Sequence, residues 1–600
     1  MRRLGVYGAN LPTKSERSVV PADFSVAGLY GRFCRKYNRA FRFRNTQEAL
    51  TVLGPQSDPS SYGWDALNGF FANLSGEQGS VYVAAFPGVG AVQAFKNVND
   101  QQAAPEPTLK LSAAYQGEDE YGAAANRTGF KITGGAAFSS AVGALPSANL
   151  KVITLESVTG IRPGDVARLY KTGYSEYHIV ASVDESARTV AWSDADYAGT
   201  GAAADYTFEV RAFKVQTYLK DSKGVVSEVD RDLGKAWCTL NASDPDRYVE
   251  AVLAQGSYLK ATKVAVTGTP TAAQVMPADV ADVTYLESGS DGTQPGSLAE
   301  WQAVYAMLDS LPVRLVANVE TSNSGYQSAL EAYCANRDDK PVAMLVGQQG
   351  MSTKAQATAA GQSFQRSNEV DATFVHNWVG VPDPFATSQS APKRAVPPAG
   401  HLMGWWLSSV ARDGVHVIPA RRASPLKGVS EAYGYAAESD QDRTDLAAAG
   451  VNVIQRVAGY GFLVRNLFTP STAPEFKYSN AVLMRNYIKA SVVDSLQASE
   501  NSPNDIGSVR EDRMAVLQFM NRLWARGSTG NVKEGETFGR YELEDGSLSS
   551  KDDAFEVVAD ASNNSVASLQ MGERNVDLWF MFPAPAGSIR VGVGLIYKVQ

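Results

Sequence analysis

The chain has 600 residues, 44% hydrophobic and 20% charged. That balance excludes a disordered chain or a fibrous repeat, and at roughly 100–200 residues per domain it predicts about three to five domains. The net charge is −8 and the pI about 5.4, which argues against a protein built mainly to bind nucleic acid.

Residues 1–23 read as an arm, with Leu4 and Val6 among Gly, Pro, Lys and Arg. Met1-Arg-Arg is followed by Leu-Gly-Val-Tyr-Gly, so no signal peptide is expected. No apolar run approaches the ~18–20 residues of a membrane span, and membrane insertion is not expected. An αβ part follows over 24–96: a strand from Phe24, a helix start at Asn45-Thr-Gln-Glu-Ala-Leu, Trp64, Leu67, Phe70, Phe71 and Leu74 at helical spacing, and a strand from Val81. Residues 97–280 are β-rich. Within them, 97–131 reads as polar and loop-like apart from Leu109–Ala114, and about 132–207 as a small inserted barrel or sandwich. Its short strands are Val166–Tyr170, Tyr177–Val183 and Thr189–Trp192. Over 281–430, helices Leu298–Leu308 and Tyr326–Asn336 alternate with strands Val313–Val319 and Val342–Val346, which predicts a parallel sheet with crossover helices. Residues 431–588 form an α+β unit with amphipathic helices Asn480–Leu496 and Ile506–Trp524. Residues 589–600 end the chain as a strand, where Val591, Val593, Leu595, Tyr597 and Val599 alternate strictly. The fold class is therefore α/β and α+β, multidomain, with an inserted β module and strand-forming arms.

Signatures of catalysis are sparse. Cys34, Cys238 and Cys334 make neither a disulfide framework nor a zinc motif, and fit synthesis in a reducing cytosol. His178, His376, His401 and His416 form no HExxH or spaced ligand pair and read as structural. Gly88-Val-Gly lacks the third glycine of a dinucleotide fingerprint, and Gly289-Ser-Asp-Gly reads as a turn. Glu438, Asp440, Asp442 and Asp445 read as a helix N-terminus, where carboxylates suit the dipole, rather than as a calcium loop. The basic run from Arg2 to Arg44, opposed only by Glu16 and Asp23, reads as self-contact with acidic surface.

The chain ends carry more information. A terminal strand has an unpaired edge and must pair within its subunit or with a neighbour. Exchange of such strands makes heterologous contacts, which close into rings or continue as filaments.

Ten segments, in order, resemble the contractile tail sheath family of phages and related contractile injection particles. They are Val26-Ala-Gly-Leu-Tyr-Gly, Asn45 to Gly54, Trp64 to Asn73, Gly79-Ser-Val-Tyr-Val-Ala, Ser288-Gly-Ser-Asp-Gly, Ala395-Val-Pro-Pro-Ala-Gly-His, Gly414-Val-His-Val-Ile-Pro-Ala, Ala448-Ala-Gly-Val-Asn-Val-Ile, Phe476 to Met484, and Leu517 to Gly527. The chain departs from the family at its start, at Leu463-Val-Arg-Asn-Leu-Phe, and at Phe582-Pro-Ala-Pro-Ala-Gly, where the family's acid is missing.

The resemblance implies a non-enzymatic subunit without cofactor, catalytic or metal residues. It implies stacked six-subunit rings around an inner tube, contraction that drives the tube through an envelope, and location in a virion tail assembled in the host cytoplasm. The implied partners are further copies of the chain, the tube protein, and baseplate and tail terminator proteins, with no direct nucleic acid. Leu4 and Val6 are expected to exchange strands with neighbours that include Val591, Val593, Leu595, Tyr597 and Val599. Arg510, Arg513, Arg522 and Arg526 are expected to face the tube, and the β module to lie outside. A bacteriocin-like or injection particle, a carbohydrate-active or other hydrolytic enzyme, and a monomeric surface protein are the other classes the sequence leaves open.

Overall fold

Runs of Val, Leu and Ala bounded by Gly, Pro and Asn build the centre of the molecule. The computed structural model describes residues 18–584 apart from 36–37, 57, 75–78, 148, 222–223 and 387–391. Leu4, Val6, Val591, Val593, Leu595, Tyr597 and Val599 thus lie outside the described residues. The central sheet has seven strands in the order Arg39–Phe43, Ser80–Phe86, Val26–Arg32, Leu315–Asn318, Val342–Val346, Ala372–Val375 and Val451–Asn452. All neighbours run parallel except the first pair. Parallel sheets are covered on both faces, which is why these strands read as continuous apolar runs. Side chains alternate between two cores. Leu29, Val83, Leu315 and Met344 enter one, and Tyr30, Ala84, Val316 and Leu345 enter the other.

The second core is covered by helices Leu298–Tyr305, Ser324–Asn336, Lys354–Ser363 and Asp440–Ala448. Ser297, Thr353 and Ser439 start three of them with capping boxes closed by Glu300, Gln356 and Asp442. The acidic cluster is accounted for here: Asp442 caps its helix, and Lys354 bridges Asp442 at 2.9 Å and Asp445 at 2.5 Å.

The first core is covered by helices Gly63–Leu74 and Ala399–Asp413. Gly400 and Gly404 lie one turn apart and let the two backbones touch. A Cβ would stand 2.2 Å from the Ala66 carbonyl oxygen at Gly400, and 2.1 Å from that of Phe70 at Gly404. Glu320, fully buried just past the strand Leu315–Asn318, accepts hydrogen bonds from the amides of Arg32 (3.1 Å), Tyr62 (3.2 Å) and Gly63 (2.9 Å) and from Ser61 Oγ (3.0 Å). It pairs with Arg32 Nε at 3.3 Å. Burial raises its pKa, while Arg32 and these donors oppose the rise.

The β-rich region is built on two long strands. Thr128–Ala144 and Thr207–Lys220 run antiparallel in register from Thr128 opposite Leu219 to Ala141 opposite Thr207, with one irregularity at Val210 and Arg211. Their far halves close with Val152–Leu155, Val166–Lys171, Tyr174–Asp184 and Thr189–Trp192 into a six-stranded barrel. Its own core includes Ile153, Leu169, Val180, Trp192 and Phe208. Their near halves pack over strands Phe95–Asn99, Pro107–Tyr115 and Leu259–Lys263 and helix Val249–Leu253. The stretch 97–131, expected to be loop-like apart from Leu109–Ala114, thus contributes two strands to a sheet layer, with non-strand chain over 100–106 and 120–127. The decisive pattern is the alternation of Leu109, Leu111 and Ala113, whose side chains are buried against Phe130 and Val215.

Two predictions follow from this packing. Gly404→Ala is expected to cost about 1–3 kcal/mol in urea unfolding, although Ala is the better helix former, because the new methyl meets a backbone carbonyl. His376, His401 and His416 are buried, and burial lowers the pKa of each, that of His401 to about 4. An unfolded histidine titrates near 6.5, so below that pH the unfolded chain binds protons that the folded chain refuses. Stability is expected to be full above about pH 6.5 and to fall as pH drops toward 4; His401→Gln should flatten that fall in urea titrations across the range.

Candidate assembly surface

The carboxyl-terminal part holds the two longest helices, Ser479–Leu496 and Ile506–Arg526. Asp505 starts the second by accepting from the Ser508 amide, and Gly527, at φ 66°, ends it. Val509, Val516, Phe519, Met520, Leu523 and Trp524 bury one face. Arg574 pins the later chain to this helix, 2.6 Å from the buried Asp512 carboxylate.

The root of the N-terminal arm lies on these helices. The Val20 amide donates to Ser495 Oγ and the Ala22 amide to Ser491 Oγ, both at 2.9 Å. Arg522 Nη2 donates to the Val19 carbonyl at 3.2 Å, and Phe24 meets Tyr487 edge-on at 5.1 Å. The match is one of pitch: two residues of extended chain advance about 6.6 Å, and one turn of four helical residues about 6.0 Å. Sequence reasoning missed this role for Ser491 and Ser495; the signal was two small hydroxyls four apart on the apolar helix.

The C-terminal exit lies in the same region. Asp577–Phe580 pairs antiparallel with Phe555–Val558, Trp579 opposite Glu556. Among the described residues neither strand has a second strand partner, and Arg513 already holds the Val557 carbonyl on the outer edge of Phe555–Val558. Exposed apolar side chains concentrate here. Of twenty exposed large hydrophobic residues among those described, nine fall within 506–581: Ile506, Met514, Tyr541, Leu543, Leu548, Val566, Met571, Trp579 and Met581.

The four arginines of Ile506–Arg526 are all exposed. At about 100° per residue, Arg510 and Arg513 lie about 60° apart and Arg522 and Arg526 about 40° apart, with at least about 120° between the pairs. The helix thus presents them on two faces. Arg513 Nε donates to the Val557 carbonyl at 3.1 Å, so part of its capacity is used within the chain.

Four described residues of the earlier basic run pair with carboxylates of the same chain. Arg32 pairs with Glu320 and Asp58, Arg35 with Glu120, Arg39 with Glu118 and Arg42 with Asp23. All four histidines are buried. Among the described residues no group of three His, Cys, Asp or Glu side chains is placed to hold a metal ion, and no helix is long and apolar enough to cross a membrane.

No protein-family model and no curated protein matches the chain. Several solved structures are similar to it. A sheath tail protein from Listeria innocua is 10% identical, over 95% of this chain and 97% of that one, with a TM-score of 0.47. The sheath of the PVC extracellular contractile injection system, in its contracted state, is 16% identical, over 51% of this chain and 76% of that one, with a TM-score of 0.40. The contracted helical sheath of the anti-feeding prophage is 16% identical, over 50% and 77% of the two chains, with a TM-score of 0.39. The chain, a mixed α/β protein, is thus similar in structure to sheath proteins of contractile particles.

Proposed function

We propose that the chain is a structural subunit of a contractile sheath, stacking as six-subunit rings around an inner tube and shortening to drive that tube through a target envelope. One observation carries the reading. Of the ten sheath-like segments scattered from Val26 to Gly527, nine contribute side chains to a single core, the one beneath helices Gly63–Leu74 and Ala399–Asp413. The tenth, Ser288 to Gly292, is a turn whose Ser290 bridges to Val92. The resemblance therefore describes one connected body.

A sheath subunit must hold its neighbours while the packing between them changes. Strand exchange suits that task, because ladder hydrogen bonds are directional while the connecting arm can swing. In this reading the outer edge of Asp577–Phe580 accepts arms from neighbours, those bearing Leu4 and Val6 and those bearing Val591, Val593, Leu595, Tyr597 and Val599. A two-stranded ladder is marginal alone and gains stability from added strands. Contraction is driven if the short state buries more apolar surface. About 400 Å² more per subunit supplies about 10 kcal/mol at roughly 25 cal/mol per Å². One of the two arginine pairs on Ile506–Arg526 faces the tube, and the barrel lies on the outside, clear of ring contacts. Baseplate and terminator proteins would bind the ends of the polymer, in a virion tail or a related injection particle, and no step needs a cofactor or catalysis.

Negative-stain microscopy of concentrated protein is expected to show hollow striated tubes with six-fold end views. Deleting residues 590–600 should abolish them and leave a folded monomer; intact tubes from that deletion would remove the strand-exchange mechanism. Monomers alone, with and without a co-expressed tube protein, would overturn the sheath reading. Charge reversal of Arg510 with Arg513, and separately of Arg522 with Arg526, is expected to block tube-templated assembly in one case. Unchanged assembly in both would remove the tube-facing role.

A further inference from the structure

An open groove of about 940 Å³ runs between the helices Leu298–Tyr305 and Ser324–Asn336. Asp309, Asp338, Asp339 and Asp494 line it against Arg314 and Arg337, which leaves it two charges negative. Arg337 is committed to Asp339 through both carboxylate oxygens, at 2.8 and 2.9 Å. Arg314 is different. Its side chain is only 4% exposed, and it stands 3.6 Å from Asp339 and 4.0 Å from Asp494. Its Nη1 has no hydrogen-bond acceptor among the described residues. A buried guanidinium nitrogen without an acceptor suits a carbonyl oxygen brought by another segment. Leu298, 48% exposed, gives the groove an apolar wall.

The segment that fits is on this chain. Residues 1–17 carry Arg2, Arg3, Lys14 and Arg17 against Glu16 alone, with Leu4, Val6 and Leu11 between them. The chain that follows passes the rim of the groove. Arg314 Nε donates to the Asp23 carbonyl at 3.2 Å, and Val20 is held by Ser495, the neighbour of Asp494. Seventeen residues can extend up to ~56 Å, so reach imposes no limit.

We propose that this groove seats the chain's own N-terminal segment, residues 1–17, in the free subunit, through opposite charge and a backbone carbonyl on Arg314. The consequence for assembly rests on the sheath reading: a segment seated here is withheld from a neighbour's ladder, so polymerisation must first draw it out.

The test is limited trypsin digestion of the full chain as dilute monomer, with cleavage after Lys14 and Arg17 followed by mass spectrometry. Asp338→Lys combined with Asp494→Lys is expected to quicken that cleavage about fivefold, the scale of two exposed ion pairs, and added salt should do the same to the wild type. Arg2→Glu with Arg3→Glu should quicken it equally while leaving the folded body untouched. Combining the four substitutions should restore protection. Equal rates in wild type, groove variant and arm variant would overturn the proposal, as would protection that climbs with protein concentration, which would place the segment in another copy's groove. Charge-swap rescue in a chain that never forms tubes would keep the groove assignment and sink the sheath reading; tubes without rescue would do the reverse.

Discussion

Glu320 sits where three elements must meet: the ends of two adjacent parallel strands and the start of the helix Gly63–Leu74. An ionised carboxylate in such a place is unfavourable unless every oxygen is matched. Here backbone amides, Ser61 and Arg32 match it. The helix so anchored must then lie flat under Ala399–Asp413, because Gly400 and Gly404 leave no room for anything but its backbone. The position of the first core, and of the carboxyl-terminal helices that complete it, depends on that chain of contacts. Its hydrogen bonds to Arg32, Ser61, Tyr62 and Gly63 spend the carboxylate on structure.

Much of the central architecture was legible because its periodicities are long and uniform. Val342–Val346 and the alternation of helix and strand around it stand as the apolar runs indicate. So do the helices Ser479–Leu496 and Ile506–Arg526, which differ from expectation only by a residue or two at their ends. The layer over 95–115 was missed because its polar partners, such as Lys96 and Asn97, mask a strand whose neighbour carries the apolar alternation. The arm root was also illegible. Ser491 and Ser495 act by accepting from a chain more than 460 residues away in sequence, and no local pattern encodes that partner. The arginines of Ile506–Arg526 show a third kind of gap: four like charges on one helix suggest one surface, yet their spacing divides them between two.

Both ends of the described chain emerge from one region, and that region also carries much of the exposed apolar surface. The two facts belong together physically. Arms rooted on Ser479–Leu496 and Ile506–Arg526 would load those helices directly, and the helices are built into the main core through Tyr487, Phe519 and Trp524. A pull on either arm therefore reaches the centre of the subunit rather than a peripheral loop.

The strands Thr128–Ala144 and Thr207–Lys220 carry their ladder from the base layer into the barrel wall, interrupted once, by the irregularity at Val210 and Arg211 where the barrel begins. The same geometry makes the barrel separable in heredity. Ala141 faces Thr207 across the ladder, so the 65 residues between them (142–206) can be exchanged for a tight turn or for another module without shifting the register below. A lineage could thus renew the whole module at a single junction while the layer beneath keeps its register.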